Sequence, residues 1–101
     1  EIALLGDRFD AQTAKDIGMI NFVVPQAELG AETDKLATRL ANGPTKVYGN
    51  TKRLLYRSLE NSWESQLQLE GETFADCAAR NDFREGVSAF SEKRKPNFKG
   101  N

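Results

Sequence analysis

Apolar positions recur along the 101-residue chain at intervals of three and four, and short polar or glycine-containing breaks divide them into successive segments. The opening Glu1-Ile2-Ala3-Leu4-Leu5 reads as the last turns of a helix entered midway, stopped by Gly6. Asp10 is a good N-cap for a helix carrying Ala11, Ala14 and Ile17, and Gly18 closes it. Residues 19–24 are β-branched and aromatic, which predicts a short strand or extended segment ending at Pro25. A helix over about 27–41 lines up Leu29, Thr33, Leu36, Ala37 and Leu40, and Asn42-Gly43 ends it. Pro44 suits the first residue of the next helix, which runs to about Glu60 with a stripe of Val47, Thr51, Leu54, Leu55 and Leu59. Ser62 then recaps the chain ahead of Trp63, Leu67, Glu70, Phe74, Cys77 and Ala78.

The last helix has the clearest punctuation. Asp82 and Glu85 carry the spacing of a capping box, with Asp in place of the usual Ser or Thr. Phe83, Val87 and Phe90 line one face, and Phe90 and Phe98 read as packing residues. Lys93, Arg94 and Lys95 fall at the C-terminal end, where the helix dipole favours cations, and Pro96 stops the helix. Arg94 and Lys95 read as solvated charges. The fold class is therefore mainly α: several amphipathic helices with one short extended segment. Tyr48, Tyr56, Trp63 and Leu69 lie beside or opposite the main stripes. Such surplus apolar residues either mark contacts with another domain or subunit or are ordinary scattered surface carbon.

Composition narrows the function classes. Hydrophobic residues make up 39% of the chain and charged residues 29%, which permits a folded helical domain with a thin core. Fixing the backbone costs about 1–2 kcal/mol per residue, so a thin core gains from a partner surface. A net charge of −1 argues against a general nucleic-acid or membrane-surface binder, and any basic site must be local. No apolar run approaches the roughly 20 residues that span a bilayer. The lone Cys77 excludes an internal disulfide and a cysteine metal cluster, and its place on an apolar face suits a packed core thiol. The absence of histidine removes Ser-His-Asp and Cys-His systems and nearly all zinc sites. The start without methionine is read as that of a fragment of a longer protein, in the cytosol or an organelle matrix.

Three segments together carry a family resemblance. Leu4-Leu5-Gly6, then Ala11, Ala14, Gly18-Met19-Ile20 and Val24-Pro25, is similar to an "LTG…A..A...GLV…V.P" passage. Leu36-Ala37 through Pro44 to Lys52 is similar to an "LA…P……K" helix pair. The run from Asp82 through Glu85-Gly86, Ala89-Phe90, Glu92-Lys93-Arg94 and Pro96 to Phe98 is close to a terminal "D..EG..AF.EKR.P.F". In this order, over essentially the whole chain, they resemble the carboxy-terminal region of the crotonase superfamily, the enoyl-CoA hydratase/isomerase group.

The resemblance implies a division of labour. Residues 1–25 would be the tail of a spiral core with its connecting helix and strand, and residues 26–101 a helical domain for trimerisation and for covering coenzyme A. The chemistry would lie in a larger amino-terminal domain, with a backbone oxyanion hole and two glutamates adding water to a 2-enoyl-CoA. No catalytic residue is expected in this chain, and no cofactor beyond the coenzyme A thioester that is the substrate. The expected partners are an acyl-CoA, the amino-terminal domain and further copies in a trimer or hexamer. An enoyl-CoA isomerase is the near alternative, and a non-enzymatic helical interaction module the distant one. Lys93 and Phe74 match positions around the nucleotide end of coenzyme A. Two roles stay open for each: Lys93 as phosphate ligand or as complement to a helix end, Phe74 as ligand contact or as plain packing.

Overall fold

The computed structural model describes residues 1–101, which form six α-helices and one 3-10 turn. The chain divides into two compact units, Glu1–Asp34 and Lys35–Asn101. In the first, α1 (Ile2–Leu5) ends where the Gly6 N–H donates to the Ile2 carbonyl, with Gly6 left-handed at φ 67°. Asp10 caps α2 (Ala11–Asp16) by accepting the Thr13 N–H at 2.8 Å. At the other end Gly18 takes φ 77°, its N–H donates to Lys15 and the Met19 N–H donates to Ala14, the paired bonds of a Schellman stop. Both ends are where the cap residues place them.

Residues 19–25 form no strand and are irregular. A strand needs a neighbour to receive its ladder of N–H and C=O groups, and this chain supplies none. A 3-10 turn at Gln26–Glu28 leads into α3 (Leu29–Ala41), so the helix expected from Ala27 begins with a tighter turn.

In the second unit α4 (Thr45–Ser58) packs on α5 (Trp63–Ala78), which packs on α6 (Asn81–Ser91). Pro44 stands one residue outside α4, and its carbonyl accepts the Tyr48 N–H at 3.1 Å. The Tyr48 ring end lies over Gly43, so a Cβ there would push the tyrosine side chain aside. Ser62 caps α5 by accepting the Ser65 N–H at 3.2 Å.

The face by which α5 meets its own chain differs from the predicted stripe. Its covered positions are Gln66, Leu69, Thr73 and Cys77, at helical spacings of three, four and four, with Ala78 beside the last. Asn50 of α4 donates to the Cys77 Sγ and to Asp76, both at 3.3 Å, and Gln66 donates to the Leu54 carbonyl at 3.4 Å. Arg80, and after it Asn50, holds the Asp76 carboxyl below the usual carboxylate range. Leu69, expected off the stripe, is thus half-buried in the seam. Leu67 and Phe74, expected on the buried stripe, stay open, and Trp63, expected beside it, is 74% exposed. Cys77 is half-buried at the seam's edge, less enclosed than a core thiol.

Little is enclosed. The buried apolar residues are Ala14 and Ala89, and the buried polar ones Thr73 and Asp82. The chain exposes 8539 Å². A compact monomer of this mass exposes about 5,700 Å², and even two separate compact bodies of the two units' sizes would expose only about 6,800 Å². Large apolar side chains left exposed on the helices include Leu36, Leu55, Trp63, Leu67, Phe74 and Phe90.

Candidate functional site

Two apolar grooves run along the second unit. One, of about 360 Å³, lies between Pro44 and Val47 on one side and Phe83, Val87, Phe90 and Phe98 on the other. The second, of about 420 Å³, is lined by Val47, Leu54, Phe74, Cys77 and Phe83 among others. Val47 and Phe83 belong to both, so the grooves meet along that pair. Phe74 stands edge-on to Phe83, with ring centroids 6.1 Å apart at 90°. It is 64% exposed, so packing against its own chain satisfies only part of the ring.

Beyond the grooves the chain is folded back by two carboxylates. α6 begins at Asn81 with Arg80 as its N-cap and no side-chain cap, so the expected capping box does not form. Asp82 lies inside the first turn, 5% exposed, and accepts the Lys99 N–H at 2.7 Å and the Gly100 N–H at 2.8 Å. Its own N–H donates to the Asn101 carbonyl at 3.0 Å. Glu85, one turn on, accepts the Asn97 N–H at 2.7 Å and both arms of the Arg94 guanidinium, at 2.6 and 2.9 Å. The two acids bind backbone from the tail where a capping box would bind backbone of the helix start. Phe98 then lies against Gly86, close enough that an added Cβ would just touch its ring. Phe98 therefore packs as expected.

Electrostatics follow from these contacts. The Arg94 guanidinium, and after it the Asn97 N–H, lowers the Glu85 carboxyl to a pKa of about 2. Glu92 also lies below the usual carboxylate range, through the Ser88 hydroxyl first and Arg94 second. Arg94 is thus paired twice, to Glu85 and to Glu92, and is a strut, where the sequence suggested a solvated charge.

Lys93 follows directly. It takes φ 54°, the only non-glycine residue of the chain with positive φ. Its N–H donates to the Phe90 carbonyl at 3.2 Å, and the Arg94 N–H donates to Ala89 at 3.0 Å, so Lys93 occupies the left-handed position of a second Schellman stop. That position costs a residue with a Cβ about 1–2 kcal/mol relative to glycine. The Lys93 side chain is exposed and pairs with no carboxylate of the chain. Phe90, one turn earlier and read from sequence as packing, is 86% exposed on the rim of the first groove.

The structure places Phe74 in the second groove and Lys93 past the end of α6, and neither groove is lined by both. Phe90 is the residue that sequence reasoning missed. Its spacing within the Phe83, Val87 and Phe90 stripe fits a buried face, and only its position in the last turn, ahead of a cation, could have signalled otherwise. No group of three or more acidic, histidine or cysteine side chains is arranged to hold a metal ion. No helix is long and apolar enough to cross a membrane.

Comparison with known proteins gives one consistent family. A family model described as Enoyl-CoA hydratase/isomerase matches residues 1–101. The trans-2-decenoyl-[acyl-carrier-protein] isomerase of Streptococcus mutans is 34% identical over 100 residues, covering 99% of this chain and 38% of that protein. The 1,2-epoxyphenylacetyl-CoA isomerase of Escherichia coli is 38% identical, covering 98% of this chain and 38% of its own. Among solved structures, an enoyl-CoA hydratase from Geobacillus kaustophilus superposes with a TM-score of 0.86 at 38% identity, over 95% of this chain and 36% of that one. The chain thus spans less than two-fifths of the length of these relatives.

Proposed function

Because the chain belongs to the enoyl-CoA hydratase/isomerase family, we propose that it is the helical carboxy-terminal part of an enoyl-CoA hydratase, and that it binds coenzyme A through Lys93 with aromatic support. The reaction is addition of water across the double bond of a 2-enoyl-CoA. In this reading two glutamates and a backbone oxyanion hole outside these 101 residues do the chemistry. The present residues bind the nucleotide end of the substrate and hold subunits together.

The observation that carries the reading is the state of Lys93. A lysine without a carboxylate partner, held at φ 54° where glycine would cost less, and preceded by an exposed Phe90, suits an anion attached to a flat ring. Phosphate oxygens and adenine offer that combination. Phe74, in the adjoining groove, would pack on the adenine or beside the acyl chain. The open apolar faces of α5 and α6 support assembly with the amino-terminal domain and with further copies, as a trimer or a hexamer.

A charge-assisted hydrogen bond contributes about 1.5–3 kcal/mol, so Lys93→Ala in the full-length protein should raise KM for an enoyl-CoA about 10- to 100-fold and change kcat much less. An unchanged KM removes Lys93 from the site. The isolated residues 1–101 should not turn over crotonyl-CoA, and measurable hydration by them would overturn the assignment of chemistry to the rest of the protein. The isomerase reading is favoured by the names of two relatives, 34% and 38% identical. It uses the same coenzyme A contacts, and product analysis with a 3-enoyl-CoA separates the two.

A further inference from the structure

Residues 92–97 form a short arch around Lys93, and both feet of the arch stand on one carboxylate. On the near side the Arg94 guanidinium grips Glu85 with two parallel hydrogen bonds, at 2.6 and 2.9 Å. On the far side the Asn97 N–H donates to the same Glu85 Oε1 at 2.7 Å. Within the arch Arg94 also donates to Glu92 at 2.6 Å and to the Lys95 carbonyl at 3.3 Å, and Pro96 fixes its own φ. Glu92 is tied back to α6 through the Ser88 hydroxyl at 2.6 Å. Lys93 and Lys95 are the basic residues of this frame without a carboxylate partner, and of the two Lys93 alone has a left-handed backbone.

We propose that Arg94 and Glu85 are positioning residues for Lys93: their ion pair closes the arch and braces the left-handed turn that the Schellman bonds set, presenting the Lys93 ammonium from a fixed base. The inference rests on the reading of Lys93 as a coenzyme A contact and deepens it. The ion pair is partly exposed, with side chains 40% and 23% accessible, and pairs of this kind add little to stability on average. Its planar two-point geometry does fix direction, which a lysine at position 94 could not reproduce. Without it, the two Schellman bonds alone would hold the turn, and the Lys93 ammonium would sample more placements. The binding would then lose the gain that a pre-organised cation provides.

The test uses the full-length protein with two substrates, crotonyl-CoA and crotonyl-pantetheine, the second lacking every phosphate. Lys93→Ala comes first. If it leaves KM for crotonyl-CoA unchanged, the reading of Lys93 fails and the positioning role fails with it. If it raises KM, Arg94→Ala should raise KM for crotonyl-CoA about fivefold or more, with kcat and the kinetics of crotonyl-pantetheine little changed. Glu85→Gln should do the same, and it serves in place of Arg94→Ala if that variant folds poorly, because the amide oxygen can still receive the Asn97 N–H. In a Lys93→Ala background Arg94→Ala should add less than a twofold further rise. A full additive loss in that background, or equal damage to both substrates, would overturn positioning and leave Lys93 in its place as a ligand.

Discussion

At the scale of single residues, the same backbone angle argues for two opposed consequences at Lys93. Glycine at this position would relieve left-handed strain, so Lys93→Gly should stabilise the full-length protein by about 1 kcal/mol, read as a higher denaturant midpoint. The same change should weaken acyl-CoA binding as much as Lys93→Ala does. Stability unchanged or lowered by the glycine would mean that the left-handed lysine is not strained. Glu85 makes a prediction about acid. Its carboxyl titrates at about 2 when folded, below the roughly 4.3 of an unfolded chain. The group therefore stabilises the fold above the unfolded value, and that contribution fades as pH falls from about 4.3 towards 2. Glu85→Gln should flatten the acid limb of the stability curve in that window. A variant whose acid limb matches the parent's would show that Arg94 and Asn97 do not hold the carboxylate in solution.

At the scale of elements, helix ends were legible and helix partners were not. Asp10, Ser62, Gly6 and Gly18 act within a few residues of themselves, so local spacing was sufficient to place α1, α2 and the start of α5. Asp82 and Glu85 show where that logic fails. An acid three residues before another acid is the same string whether the pair caps its own helix or receives N–H groups from a tail 12 to 18 residues on. Only the return of the chain decides between them. The expected stripe of α5 coincides with its covered face only at Cys77 and Ala78 for a similar reason, since periodicity finds an apolar stripe and says nothing about whose surface will cover it. Lys93 and Phe74 were legible as residue types in a familiar order, whereas the left-handed backbone, the Glu85 arch and the exposure of Phe90 needed the fold. The tail clasp is testable as an element. Asp82→Ala removes a buried acceptor from the Lys99 and Gly100 N–H groups and should cost about 1–3 kcal/mol. Hydrogen exchange at those two amides should accelerate more than exchange within α5. Uniform acceleration would mean that the tail is not a separate clasp. Gly100 belongs to the same device, because it takes φ 78° and a Cβ there would press on the Thr45 hydroxyl at 2.7 Å.

At the scale of the whole chain, the surface is too large for its mass. An excess of roughly 1,700 Å² or more, even against two separate compact bodies, falls in the range that stable protein–protein interfaces remove from water. Expressed alone, residues 1–101 should bind a hydrophobic dye and self-associate with rising concentration, as followed by sedimentation velocity. A chain that stays monomeric and dye-free at high concentration would argue that these faces need no cover. Trp63 offers a direct view of that covering. It is the single tryptophan of these residues, on the side of α5 that its own chain leaves open. Its indole is thus a built-in optical gauge: emission should start near that of the free amino acid in water and move to shorter wavelength as neighbouring surface arrives, reporting assembly without any added label.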